Sequence, residues 1–219
     1  MKRISDSTVR RLSLYLRLLG EASNGAGATV SSGELARWGG TTSAQVRKDL
    51  SHFGSFGKRG LGYSVAELRD ALQGILGLDR RWRVALIGAG RIGTALMSYH
   101  AFRERGFEIR AVFDADPAKL GTVRQGLKVR GVEKLEEGLR RDQIDIAIIA
   151  TPAGAAREVA GRVVKAGVRA ILNFAPVSIE VPVDVALRSV DMTVELEGLA
   201  FALNQGVGKK QALSVTSGS

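Results

Sequence analysis

Six residues, Gly88-Ala89-Gly90-Arg91-Ile92-Gly93, constrain this chain more than any other stretch. They follow a compact apolar run, residues 82–87, and open a helical pattern carried by Ile92, Ala95, Leu96 and Tyr99. A strand that runs into G-x-G-x-x-G and on into a helix is the turn with which a βαβ unit holds a dinucleotide. Each glycine has a physical task. Gly88 permits the tight turn, Gly90 lets backbone approach a pyrophosphate, and Gly93 lets helix and strand pack closely. The helix start adds unpaired N–H groups and the positive end of its dipole. Ala89, Arg91 and Ile92, between the glycines, are therefore expected cofactor contacts too.

The residues that follow keep the same rhythm. A strand over 108–113 ends at Asp114, 21 residues past Gly93. That is where the fold sets a carboxylate on the ribose hydroxyls, and an acid there favours NAD over NADP. Lys119 and Arg124 lie close by and could soften the preference. Apolar runs predict strands over 145–150 and 168–174, and helical spacing predicts helices over 132–141 and 154–166. Alternation of this kind argues for a doubly wound parallel sheet. Ligands bind at the carboxyl ends of such strands. Those ends carry Thr151-Pro152 and Asn173-Phe174, expected to meet a nicotinamide or ribose. Pro152 and Pro176 could equally serve only to end their strands.

The first third of the chain is different in charge. Residues 1–83 hold 14 Lys and Arg against seven Asp and Glu, a net +7 out of +10 for the whole chain. A surplus so placed points to a polyanion such as nucleic acid. Val9, Leu12, Leu16 and Leu19 mark one apolar helix face. Ser31 with Glu34 and Thr42 with Gln45 have capping-box spacing and open two short helices separated by Gly39-Gly40. Four glycines in residues 54–63 then frame Lys58-Arg59, which reads as a hairpin with a basic tip. Ser64 with Glu67 opens a last helix over 65–76. Helix-turn-helix followed by such a hairpin is a winged helix. Its recognition helix would present Ser43, Gln45, Arg47 and Lys48 to base edges in the major groove, arginine and lysine suiting guanine and glutamine suiting adenine. Lys58 and Arg59 would reach an adjacent minor groove.

Several classes are excluded or disfavoured. With no cysteine, disulfides, thiolate metal sites and cysteine nucleophiles are out, and with only His52 and His100 a multi-histidine metal centre is out as well. No apolar run is long enough to span a membrane, and a cytoplasmic location is expected. No catalytic constellation is visible: no His, Lys or Tyr is evidently paired as the proton donor a hydride-transfer enzyme needs. A ligand-controlled regulator fits better than an NAD-dependent dehydrogenase. A coenzyme A-binding module, which shares the glycine turn, is a further alternative.

Gln45-Val46-Arg47-Lys48-Asp49-Leu50-Ser51-His52-Phe53-Gly54, Gly57 to Tyr63, the glycine turn, Phe113-Asp114-Ala115-Asp116-Pro117 and Ile171 to Pro176 lie in an order that resembles the Rex family of redox-sensing transcriptional repressors. The resemblance implies a homodimer that binds operator DNA and is released when NADH replaces NAD. It implies a winged-helix DNA-binding domain over 1–78 and a Rossmann NAD(H)-binding domain over 79–192. A domain-swapped C-terminal helix within 193–206, with helical spacing over 195–205, and a flexible tail, 207–219, would complete the chain. It implies switch roles for Arg17, Tyr99 and Asp191, the carboxylate changing partner between Arg17 and the Tyr99 hydroxyl. Where family members commonly carry tyrosine, this chain has His52 on the recognition helix, an expected DNA contact, and Phe56 in the wing. Met192 follows Asp191 where an aromatic is familiar.

Overall fold

A computed structural model describes residues 4–22, 28–54, 56–57 and 61–205. The chain divides into two compact units, Met1–Arg81 and Trp82–Ser219. The expected wing-tip pair Lys58-Arg59 and the tail 207–219 lie outside the described residues.

The first unit comprises α1 (Asp6–Ala22), β1 (Thr29–Val30), α2 (Ser32–Trp38), α3 (Ser43–Ser51), β2 (Tyr63–Ser64) and α4 (Val65–Ile75). Ser31 and Glu34 form a reciprocal capping box at α2. Thr42 and Ser64 each accept the backbone N–H three residues on, Gln45 and Glu67, which fixes where α3 and α4 start. Leu12, Tyr15 and Leu19 of α1 meet Leu35, Val46, Leu50, Leu68 and Leu72 in one core. The two strands pair antiparallel, Thr29 with Ser64 and Val30 with Tyr63. Gly62 makes that pairing possible. Its φ is +81°, and a β-carbon there would lie 2.6 Å from the Val30 carbonyl oxygen.

The second unit is a seven-stranded sheet flanked by helices. Its elements are β3 (Trp82–Ile87), α5 (Arg91–Met97), α6 (His100–Glu104), β4 (Phe107–Asp114), β5 (Val123–Arg124), β6 (Leu127–Gly131), α7 (Leu135–Arg141), β7 (Ile146–Ile149), α8 (Ala153–Lys165), β8 (Ala170–Asn173), β9 (Ala186–Ser189) and α9 (Met192–Asn204). The strand order is β5-β6-β4-β3-β7-β8-β9. All neighbours run parallel except β5, which is antiparallel to β6. Leaving β5 aside, this is the doubly wound order of the Rossmann fold, with its reversal point at β3.

Alternation along the strands feeds two cores. Ala85, Ile87, Phe113, Ala147 and Ile149 face Leu135 and Leu139 of α7 and Ala156, Val159 and Val163 of α8. Val84, Leu86, Val112 and Ile148 face the other way, toward Leu96, Met97 and Phe102. The link from β8 to β9 contains no helix. On the α5 side, Ile146 and Leu172 are left half-buried.

Two expectations shift. The first helix after the glycine turn is shorter than its apolar spacing suggests. It stops at Met97, and Tyr99 stands in the link to α6 with φ −80° and ψ 96°. The Ser98 hydroxyl, donating back to the Thr94 carbonyl, closes the last turn. The C-terminal helix instead starts early, at Met192, because Asp191 caps it by accepting the Thr193 N–H at 2.9 Å.

Candidate nucleotide cleft and nucleic-acid face

The glycine turn sits on the central strand, where neighbours lie on both sides. Gly88 has φ +101°, and a β-carbon there would meet the Ala150 carbonyl oxygen at 2.5 Å. A β-carbon on Gly93 would fall on the Gly88 carbonyl oxygen. Gly90 faces open space, with nothing within 4 Å of where a β-carbon would stand, and no side chain caps α5 behind it. The turn is therefore tight on its inner side and bare on its outer side.

Beside it opens a cavity of about 890 Å³. Gly88, Gly90, Arg91 and Ile92 line one wall, Asp114 and Lys119 another, and Thr151 and Pro152 a third. These come from the carboxyl ends of β3, β4 and β7, the crevice in which an open α/β sheet binds ligands.

Asp114 is 7% exposed. One of its oxygens, Oδ2, accepts the Ala89 N–H at 2.7 Å and the Lys119 ammonium at 3.2 Å, while Oδ1 accepts the Asp116 N–H at 2.8 Å. Burial pushes its pKa up, but those two N–H groups and the lysine outweigh it and hold the carboxyl below its ordinary value. The Thr151 hydroxyl is buried with no hydrogen-bond partner.

Other expected cofactor contacts are placed differently. Asn173 is 1% exposed, and its amide is used on its own loop. Nδ2 donates to the Ala175 and Val177 carbonyls and Oδ1 accepts the Ala175 N–H. Phe174 packs against the sheet on the α5 side, and neither residue lines the cavity. Sequence spacing could place them at a strand end but could not show that the loop needs the amide itself. Conversely, Val132, Ala155, Val159 and Arg162 line the cavity and were not anticipated. Arg162 donates to both Glu136 oxygens and to the Val132 carbonyl. Nothing local in the sequence announces a pairing across 26 residues.

In the first unit, α3 divides cleanly. Val46, Asp49 and Leu50 are buried, whereas Arg47, Lys48 and His52 are exposed. Ser43 begins the helix and Gln45 is half-buried. Arg47 donates to the Ser32 hydroxyl at 3.0 Å, and Gln45 donates its side-chain N–H to Asp49 at 2.8 Å. Of the three switch candidates, Arg17 is exposed on α1 of the first unit. Tyr99 is 57% exposed in the second unit, edge-on to Phe102, and Asp191 is the exposed N-cap of α9.

Two family models match the chain. Residues 3–51 match one described as a putative DNA-binding protein N-terminus, and residues 79–177 match one described as a CoA binding domain. The redox-sensing transcriptional repressor Rex of Carboxydothermus hydrogenoformans is 49% identical over 203 residues, which are 93% of this chain and 98% of that protein. The chain belongs to the Rex family of redox-sensing transcriptional repressors. The Rex of Streptomyces coelicolor is 45% identical, covering 95% of this chain and 81% of that one. Among solved structures, the Rex-family repressor RSP in complex with β-NAD⁺ and operator DNA superposes with a TM-score of 0.89 at 37% identity, covering 99% of this chain and all of that chain. RSP with β-NADH gives 0.85 at 36% identity, covering 97% of this chain and 100% of that chain. The Rex relatives are repressors, so the dehydrogenase alternative falls. Although the Rossmann-type unit of this Rex chain matches a model described by coenzyme A, the solved Rex relative holds nicotinamide dinucleotides.

Proposed function

We propose that this chain binds operator DNA as a homodimer and releases it when NADH replaces NAD⁺ in the cleft at β3, β4 and β7. The observation that carries the reading is that cleft, together with a basic-faced recognition helix on the same chain. Its bare Gly90 admits the backbone approach a pyrophosphate needs. Asp114 retains acceptor capacity for a ribose hydroxyl, and the unpartnered Thr151 hydroxyl awaits a polar ligand group. Gly88, Arg91, Ile92 and Pro152 complete the wall, while Ala89 and Gly93 are buried in the turn and act by shaping it. The bound dinucleotide supplies a nicotinamide that is a flat cation when oxidised and neutral when reduced.

The chain's own part is to turn that difference into two arrangements. Asp191 spends Oδ1 on capping α9, which leaves its other oxygen to pair with Arg17 in one state and to accept the Tyr99 hydroxyl in the other. Binding shifts such an equilibrium only through unequal affinity for the two states. On the DNA side, Arg47 and Lys48 supply cationic donors, with Ser43, Gln45 and His52 beside them; Lys58 and Arg59, outside the described residues, would add two further cations for DNA.

Homodimerisation by exchange of α9 is supported by what the protomer leaves uncovered. Leu196, Leu199, Phe201 and Leu203 of α9 are all more than 60% exposed, and none of its described residues is buried. A helix this apolar around its circumference belongs in an interface. The sheet face over β7 and β8, lacking a helix from the β8–β9 link, offers half-buried Ile146 and Leu172 to cover. A repressor of this kind acts in the cytoplasm. Among the described residues, no helix is long and apolar enough to cross a membrane.

The test is a mobility-shift titration of operator DNA with each nucleotide. NADH should dissociate the complex while NAD⁺ leaves it intact. A complex indifferent to both would sink the sensor reading.

A further inference from the structure

The recognition helix carries a charge on the face turned away from solvent. Asp49 is fully buried, at 0% exposure, between the apolar contacts Val46 and Leu50. Four donors converge on its carboxylate. Arg11 Nε and Nη2 approach at 2.6 and 2.7 Å, the Tyr15 hydroxyl at 3.1 Å and Gln45 Nε2 at 2.8 Å. A carboxylate has room for about four hydrogen bonds, so this one is filled. Arg11 also donates to the Thr8 hydroxyl at 3.2 Å, and that hydroxyl bonds Ser5 at 3.0 Å. The network thus runs from the first turn of α1 to the first turn of α3.

Packing alone does not call for it. A buried ion pair gives little net stability relative to apolar side chains of similar volume. What it does impose is orientation. Val46 and Leu50 can slide over α1 by a fraction of a turn with little change in contact, but a two-pronged arginine–carboxylate pair holds only when its planes stay aligned. Around α3, Lys48 and Asp49 are separated by about 100°, as are Arg47 and Lys48. The angle at which Asp49 is held therefore sets the angle of every exposed side chain on the helix.

We propose that Asp49 is a positioning residue for DNA recognition. Locked to Arg11 and Tyr15, it fixes the rotation of α3 about its axis and makes α1 and α3 move as one piece. It also sets how Gln45 is presented. With one N–H of its amide given to Asp49, Gln45 is held in one orientation, and only its carbonyl oxygen and remaining N–H are left to meet a base. Because α1 also bears Arg17, a displacement of that helix reaches the recognition helix without slack. The inference rests on the DNA-binding reading above, and its test keeps the two apart.

The full-length wild-type chain is first used to select its preferred duplex from a random pool. Arg11→Met with Asp49→Leu, made together with Tyr15→Phe so that no buried hydroxyl loses its acceptor, replaces the pair by apolar side chains and is expected to melt no lower than wild type. Its preference for the selected duplex over a scrambled one should fall at least about tenfold, while its binding to the scrambled duplex stays the same. Arg11→Lys keeps the charge but not the fork, and should lose preference in the same direction; it decides the matter if the triple variant fails to fold. Folded variants that keep wild-type preference overturn the positioning role, as does a parallel loss on both duplexes. A wild-type chain that selects no sequence overturns the DNA-binding reading itself.

Discussion

The Ala89 backbone N–H lies 2.7 Å from Asp114 Oδ2, so a buried carboxylate at the end of β4 helps to fasten the turn that follows β3. The residue expected to hold a ribose also holds the loop expected to hold the pyrophosphate. Asp114→Ala should therefore weaken NADH by about 1.5–3 kcal/mol, the range for hydrogen bonds to a charged group. Titration calorimetry gives the number. NADH affinity equal to wild type would remove Asp114 from the ribose site.

Gly88 and Gly90 should respond oppositely to alanine. At Gly88 a β-carbon meets the Ala150 carbonyl and a φ of +101°, so Gly88→Ala should destabilise the second unit by about 1–3 kcal/mol in thermal or denaturant melts. At Gly90 the space is open, so Gly90→Ala should melt like wild type and yet bind NADH poorly, its methyl standing where the pyrophosphate must approach. A Gly90→Ala protein with undiminished NADH binding would place the pyrophosphate elsewhere.

Arg47 is exposed and only lightly held, by one bond to Ser32. If it reaches a base edge, Arg47→Ala should cost about 1–3 kcal/mol on the operator and relax preference at one position. A uniform loss on all sequences, with a shallower salt dependence, would make it a phosphate contact instead.

Exposed apolar residues along α9 are expected to be covered in solution. Leu199→Asp should convert a dimer to a protomer of half the mass in sedimentation while the melting of the first unit stays unchanged. An identical mass for variant and wild type would show that α9 takes no part in assembly.

Glu136 and Arg162 give a pH signature. The paired arginine lowers the Glu136 pKa from 4.5 to about 2. Its folded value lies below its unfolded one, so the pair stabilises fully above about pH 4.5 and that stability is lost as the pH falls toward 2. Thermal melts across this window should be less steep in pH for Glu136→Gln than for wild type. Equal slopes would mean that the pair does not persist in solution.

What could be read from the chain beforehand was local. The glycine turn, the capping pairs Ser31–Glu34 and Thr42–Gln45, and the apolar spacing of each helix depend on neighbours a few residues away. The strand order depends on contacts far apart in sequence and was legible only as a class of fold. Asn173 and Gln45 show the limit most clearly. Both were correctly placed at a strand end and a helix start, and both have side-chain N–H groups engaged by neighbours in the protein itself. Asp49 had no local signal that would mark it as buried. Its burial follows from Arg11, 38 residues earlier, and no periodicity reports a partner at that distance.

Lys119 holds Asp114 at 3.2 Å and Asp116 at 3.4 Å with no ligand involved. A hydroxyl arriving at Asp114 therefore exchanges with, or joins, a partner that is already there. The carboxylate never stands as an uncompensated charge, either before a nucleotide enters or after it leaves. Turnover of the cleft's contents is then a substitution between two satisfied states, which suits a protein that must read a changing pool repeatedly.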